Sequence, residues 1–168
     1  ADLPALKDGL HGKLAALEAG EARLAALDKE RDAAAAAYAG AAQGLSEKRR
    51  KAAARLDEAV NAELPALKLE RARFFTEIES ADVARGGPAG IDQVGFMVQT
   101  NPGSQPGPLM KVASGGELAR FVLALKVALA GRGGAPTLVF DEIDTAVSGA
   151  VSQAIGARLE RLAGSVQV

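Results

Sequence analysis

Leu3, Leu10, Leu17 and Leu24 recur every seven residues, and Arg31, Tyr38 and Leu45 continue the count. The position four further along holds Lys7, Leu14, Glu21, Asp28, Ala35, Ala42 and Arg49, so one seam is apolar at first and its companion is mixed. With few β-branched residues and charges throughout, residues 1 to about 64 read as one long helical region, a coiled-coil strand with an imperfect seam. The plainer alternative is a helix lying on a globular neighbour. At about 1.5 Å per residue, about sixty residues span about 90 Å. Gly9, Gly12, Gly20, Gly40 and Gly44 each weaken a helix and predict kinks or interruptions. Pro65 ends or kinks it.

Beyond Pro65 the period changes. Phe74, Thr76 and Ile78 alternate with Phe75 and Glu77, which predicts a strand starting near residue 72. A Gly- and Pro-rich turn spans 84–90, and 91–100 reads as a second strand with Val94, Phe96 and Val98 on one face. A loop with three prolines and two glycines, Asn101 to Pro108, leads into a helix predicted over about 115–130 and ended by Gly131. Its Leu118, Phe121, Val122, Leu125, Val127 and Leu129 are apolar nearly all round, so the helix is expected to be buried. Thr137-Leu138-Val139-Phe140, entered through Gly133-Gly134-Ala135-Pro136, reads as a buried strand of a parallel sheet. A last helix, 150–163, turns Val151, Ala154, Ile155 and Leu159 inward and Arg158 and Arg161 outward, and 164–168 looks like the start of a strand.

Two places carry candidate chemistry. Ser114-Gly115-Gly116-Glu117 opens the buried helix. An N-cap serine with Glu117 three residues on is a capping box, which accounts for Ser and Glu. It does not account for two consecutive glycines in a first turn, where each costs up to about 1 kcal/mol relative to Ala. Glycines there let a phosphate or another backbone come close, and the free N–H groups favour an anion. Asp141 and Glu142 sit at the carboxyl end of the predicted 137–140 strand, where open α/β sheets bind ligands. One carboxylate could hold Mg²⁺, directly or through water, and the other could orient or deprotonate an attacking water. A strand that ends in two solvated acids before a turn is the bland alternative.

Composition narrows the field. The net charge of −1 does not mark a strongly basic nucleic-acid binder, so any DNA contact must be local. Lys48, Arg49, Arg50, Lys51 and Arg55 supply such a cluster, able to touch phosphates without reading sequence. A solvated helix face with Glu47 and Lys51 as an i,i+4 pair is the simpler account. There is no cysteine, which excludes disulfides and thiolate-held metal, and a single His11 cannot build a histidine cluster. No apolar run is long enough to span a membrane and no signal peptide is evident, so a cytoplasmic protein is expected. A P-loop, GxxxxGK[ST], is absent; Gly12-Lys13 is followed by Leu14.

The order of the motifs, Ser114 to Glu117 and then Thr137 to Glu142, resembles the signature and Walker B motifs of ABC-type ATPases. An SGGE signature is similar to that of the SMC-like, chromosome-maintenance branch. The strings Lys111-Val112-Ala113-Ser114-Gly115-Gly116-Glu117-Leu118-Ala119-Arg120 and Phe140-Asp141-Glu142-Ile143-Asp144-Thr145 look most like the RecN family of bacterial DNA repair ATPases. The resemblance implies an α/β fold: the C-terminal lobe of an ABC/SMC-type head of the P-loop NTPase fold (65–168) with the returning strand of a coiled-coil arm (1–64).

It further implies ATP and Mg²⁺ in the complete protein, with Asp141 on Mg²⁺, Glu142 as the catalytic carboxylate, and Ser114, Gly115, Gly116 and Glu117 contacting nucleotide bound to a second head. Thr145, Ala146, Val147 and Ser148 would form the D-loop. RecN sequences usually have Gly at the place of Ala146, and the broader ABC pattern has Asp at the place of Ser148. The implied partners are a second copy across sandwiched ATP, the DNA backbone through Lys48, Arg49, Lys51 and Arg55, and an N-terminal lobe carrying the P-loop, with no membrane and a nucleoid-associated location. On this reading the chain is a piece of a longer protein, and alone it binds no ATP. An SMC-type chromosome-structuring ATPase or a coiled-coil scaffold with a vestigial site are the alternatives. A transporter ATPase fits poorly with the arm.

Overall fold

The computed structural model describes residues 2–111, 114–130, 135–141, 143 and 149–168. Its elements are α1 (Leu3–Glu63), β1 (Arg73–Ser80), β2 (Asp92–Gln99), β3 (Gly107–Pro108), α2 (Gly115–Ala128) and α3 (Gly149–Ala163), with short 3₁₀ turns at Pro65–Leu67, Val83–Arg85 and Leu109–Lys111. The chain divides into two compact units, Ala1–Leu45 and Ser46–Val168.

In the first unit α1 is unbroken, and none of the expected interruptions is present. A Cβ added at Gly9, Gly12, Gly20, Gly40 or Gly44 would meet nothing within 4 Å, so no close approach within this chain requires glycine at these positions. The heptad leucines Leu3, Leu10, Leu17 and Leu24 are 58–77% exposed, and Leu6, Leu14 and Leu27 are exposed beside them. Arg31 pairs with Asp28 and Asp32 on the solvated surface, where such pairs contribute little.

In the second unit β1, β2 and β3 form an antiparallel sheet in that order. Phe74 stands opposite Val98, Thr76 opposite Phe96 and Ile78 opposite Val94. The Phe74 and Phe96 rings lie diagonally across the pair, centroids 5.6 Å apart. The 87–90 turn between the strands closes with Gly90 at φ 90°, a backbone conformation that favours glycine. Val60, Leu64, Leu67, Phe74, Val98, Phe121, Leu123, Ile155 and Leu162 form the core, so α1's last turns, the sheet, α2 and α3 share one apolar interior.

β1 is an edge strand, and its outer hydrogen-bonding groups are closed by side chains of α1. The Asn61 carboxamide accepts from the Phe74 N–H (3.0 Å) and donates to the Phe74 carbonyl (2.7 Å), as a neighbouring strand would. The Asp57 carboxylate accepts from the Thr76 N–H (2.9 Å) and hydroxyl (2.7 Å). An edge left open is a template for association. Here it is paired by a helix.

Asn61→Ala leaves the Phe74 N–H and carbonyl without their partner. It is expected to lower the unfolding free energy by on the order of 2 kcal/mol, read from urea unfolding. A change within about 0.5 kcal/mol, ordinary for a surface position, would contradict this account of the edge.

Candidate functional site

The helix that opens after Ser114 begins as its sequence predicts. Ser114 is extended (φ −110°, ψ 126°), and its hydroxyl accepts from the Glu117 N–H at 3.5 Å. Only this half of the capping box forms, because the Glu117 carboxylate makes no hydrogen bond or ion pair among the described residues. Phe121, Leu123, Ala124 and Val127 are buried and fix the helix, while Ser114 and Gly115 remain at the surface and Gly116 is buried. The helix ends at Ala128, before the predicted stop at Gly131, with Leu129 as its C-cap.

The loop ahead of α2 is built rather than slack. Ser104 and Asn101 bond to each other, Gln99 donates to the Ser104 carbonyl (2.8 Å), and Gly103 takes the left-handed conformation (φ 85°) that closes the turn. Thr100, Asn101, Gln105, Lys111 and Glu117 border a cavity of about 380 Å³ beside the first turn of α2.

The 137–140 segment departs from expectation. Instead of a buried strand, it makes a single parallel bridge between Thr137 and Gln167. The Leu138 N–H donates to the Gln167 carbonyl (2.7 Å), and the Gln167 N–H donates to the Pro136 carbonyl (2.9 Å). Val139 is 89% exposed, whereas Leu138 and Phe140 are half-buried. A buried parallel strand needs neighbours on both sides and helices over both faces. Among the described residues, the chain's own 165–168 segment supplies one neighbour only. Asp141 follows at the exposed carboxyl end of this segment. Glu142 and the whole Thr145, Ala146, Val147 and Ser148 loop lie outside the described residues. No group of three or more acidic or histidine side chains able to hold a metal occurs among the described residues.

The basic cluster on α1 is split by the fold. Arg49 donates to Asp92 (3.0 Å) and to the Ala89 carbonyl (2.9 Å), and Arg50 donates to the Ser80 hydroxyl (2.8 Å). Lys48, Lys51 and Arg55, at i, i+3 and i+7, stay exposed along one helical stripe. The expected Glu47–Lys51 pair is not formed.

Asp92 was not singled out by any sequence signal. It accepts from the hydroxyls of Ser46 (2.7 and 2.8 Å) and Ser80 (2.7 Å) as well as from Arg49. These neighbours cover the carboxylate completely, although it lies near the unit's surface rather than in the apolar core. The serine hydroxyls, chiefly Ser46 and then Ser80, hold its pKa down from 3.8 to about 2, with Arg49 adding to the effect. A second missed contact is Glu63, whose carboxylate accepts from Arg161 (2.6 Å) and forms an ion pair with Arg158 (2.7 Å). Arg158, expected to point outward, is therefore largely covered.

Helices packed on a small antiparallel sheet, with a glycine-rich helix start and an apolar run ending in carboxylates, fit the C-terminal lobe of an SMC/ABC-type ATPase head. The chain is 44% identical over 124 residues to DNA repair protein RecN of Rickettsia bellii, covering 74% of this chain and 22% of that protein. It is 37% identical over 156 residues to DNA repair protein RecN of Vibrio cholerae (93% and 28%) and 34% identical over 167 residues to that of Xylella fastidiosa (99% and 30%). The chain belongs to the RecN family, and spans less than a third of the length of these relatives. No protein-family model matches it.

The depressed pKa of Asp92 makes its grip pH-dependent. Stability from the ionised carboxylate is fully present above the unfolded pKa of 3.8 and is lost as pH falls through about 2. Asp92→Asn is expected to be less stable than wild type at pH 7, with the two unfolding curves converging between pH 4 and pH 2. A difference that stays constant from pH 7 to pH 2 would show that the charge of Asp92 does not hold the helix to the hairpin.

Proposed function

We propose that this chain is the signature- and Walker B-bearing part of a DNA repair ATPase, with its ATP site completed by a P-loop lobe and by a second head. The observation that supports this most directly is the presence, in one compact unit, of an exposed Ser114-Gly115 helix start and an apolar run leading to Asp141 and Glu142. The relatives' names, DNA repair protein RecN, supply the process.

The chemistry follows from the residue types. Asp141 offers an exposed, hard oxygen donor, which suits Mg²⁺; that ion keeps several waters and takes its remaining ligands from phosphates. When bound, Mg²⁺ neutralises charge developing on the phosphates. Glu142 orients the attacking water and accepts its proton. Ser114, the N–H groups of Gly115 and Gly116, and the uncommitted Glu117 face nucleotide held by the other copy of the protein, where a helix N-terminus favours the γ-phosphate. Thr145, Ala146, Val147 and Ser148 complete the seam as its D-loop.

ATP therefore joins two heads, and its hydrolysis removes the contact that holds them, a ligand-driven switch between paired and separate states. Lys48, Lys51 and Arg55 give the DNA backbone a stripe of exposed cations, while Arg49 is committed to Asp92. The α1 leucines form one side of a coiled coil with a strand from elsewhere in the protein. Among the described residues no helix is long and apolar enough to cross a membrane. Action on chromosomal DNA places the protein in the cytoplasm, at the nucleoid.

The complete protein carrying Glu142→Gln is expected to bind ATP, to accumulate as ATP-dependent dimers, and to lose roughly 10²–10⁴-fold in turnover. Turnover assays with sedimentation in ATP check this. Equal turnover in wild type and mutant would remove Glu142 from the catalytic role, and absence of turnover in both would favour a scaffold.

A further inference from the structure

Alternation puts Phe74, Thr76 and Ile78 of β1 on one face of the sheet with Val94, Phe96 and Val98 of β2. Phe74 and Val98 are buried in the core, but Phe96 is 38% and Val94 50% exposed. At this exposed end a groove of about 260 Å³ opens between α1 and the sheet. Ala52, Leu56 and Ala59 form its helix wall, and Ile78, Val94 and Phe96 its floor. Leu129, the C-cap of α2, also lines it.

The walls narrow the occupant. They are aliphatic apart from Phe96, which suits an apolar side chain and not a run of bases, for which successive aromatic platforms are needed. The volume lies below the roughly 300–1,000 Å³ usual for small-molecule pockets and leaves room for one large side chain with its flanking backbone. The rim is cationic. Arg55 lines the groove and is exposed, with its Nε on the Lys51 carbonyl (3.3 Å). Ala52 and Ala59 lie at i+4 from Lys48 and Arg55, so the exposed stripe of Lys48, Lys51 and Arg55 runs along the groove. Arg49 lines it too, but is paired with Asp92. No acidic residue lines it among the described residues. At about 3.6 residues per turn, Glu47 and Glu58 fall on the side of α1 opposite Leu56. Glu77 and Glu79 alternate with Ile78 and lie on the sheet's other face. Asp57 is engaged by the N–H and hydroxyl of Thr76.

We propose that this groove docks a short acidic segment of a partner protein. One large apolar side chain of the segment sits between Ala52, Ala59 and the floor of Val94 and Phe96, and a flanking carboxylate pairs with Arg55. The small side chains at 52 and 59 give the groove its depth, and the anchor takes Val94 and Phe96 out of water. A guanidinium at the rim binds a carboxylate more strongly than a neutral group. With no acid in the lining to offset it, the rim selects acidic segments over basic ones. The site is independent of nucleotide.

The test is fluorescence anisotropy with the complete protein and a fluorescein-labelled peptide that carries one phenylalanine between pairs of aspartates. Controls replace the phenylalanine by serine, or the aspartates by lysines. Wild type is expected to bind the first peptide and to bind each control about ten-fold more weakly or less. Ala52→Phe, which fills the groove from an exposed helix position, and Arg55→Glu, which reverses the rim, are each expected to weaken the first peptide by a similar factor. Should Ala52→Phe be poorly folded, Val94→Asp, which puts a carboxylate on the floor, is expected to do the same. No binding by wild type overturns the proposal. So does equal binding of the serine control, which would leave charge attraction alone, or wild-type affinity in a folded groove variant. A duplex oligonucleotide that loses affinity on Ala52→Phe, with the peptide unbound, assigns the groove to DNA and overturns it as well.

Discussion

The second unit depends on how one helix closes the edge of a sheet. Along residues 46–63, α1 presents a stripe at helical spacing that mixes polar and apolar groups, Ser46, Arg49, Asp57, Val60 and Asn61, which Leu64 continues just past its end. The apolar members enter the core, and the polar members take up hydrogen bonds that β1 and the hairpin turn would otherwise offer to water or to another chain. Burial alone would place the helix on the sheet without a fixed register. The paired bonds of Asn61 to Phe74 and the covered Asp92 set that register, since buried polar groups left unmet are costly.

What the site inherits is a fixed platform. With α1 and the sheet locked, α2 packs its buried face against the same core, so the Ser114 turn is carried by a helix that cannot easily tilt. The surface there is polar and largely uncommitted: Glu117 has no partner among the described residues and borders the cavity under the Asn101–Pro108 loop. By contrast, among the described residues the 137–140 segment has a neighbour on one side only, and Val139 stands in solvent. The Ser114 helix is thus packed on the core, whereas the 137–140 run is bridged on one side among the described residues.

Elements whose cause is local were legible in the sequence. The alternation Phe74, Thr76, Ile78 marked β1, the Gly- and Pro-rich stretch marked the turn, and Ser114 marked the start of α2. Contacts made at long separation were not legible. Asn61 acting as a neighbouring strand, Asp92 gathering Ser46, Ser80 and Arg49, and Glu63 reaching Arg161 each join residues 12 to 98 positions apart, and nothing in their local pattern distinguishes them from solvated polar residues. The 137–140 strand failed for a related reason, because a parallel strand is defined by its neighbours as much as by its own apolar run. The glycines of α1 misled in the opposite sense: their propensity cost is real but small beside that of breaking a long helix.

The central claim is that each ATP site is shared between two copies of the protein, and mixing two inactive variants tests it most directly. On the proposed function, Ser114→Arg spoils the surface a head offers to its partner's nucleotide, and Glu142→Gln spoils the carboxylate a head uses on its own. A heterodimer of the two holds one intact site, with Glu142 from the first and Ser114 from the second. Turnover by the mixture well above the sum of the separate proteins, with single-variant preparations near background, is the predicted result. A mixture no more active than its parts, with heterodimers shown to form, would contradict a site built from two heads.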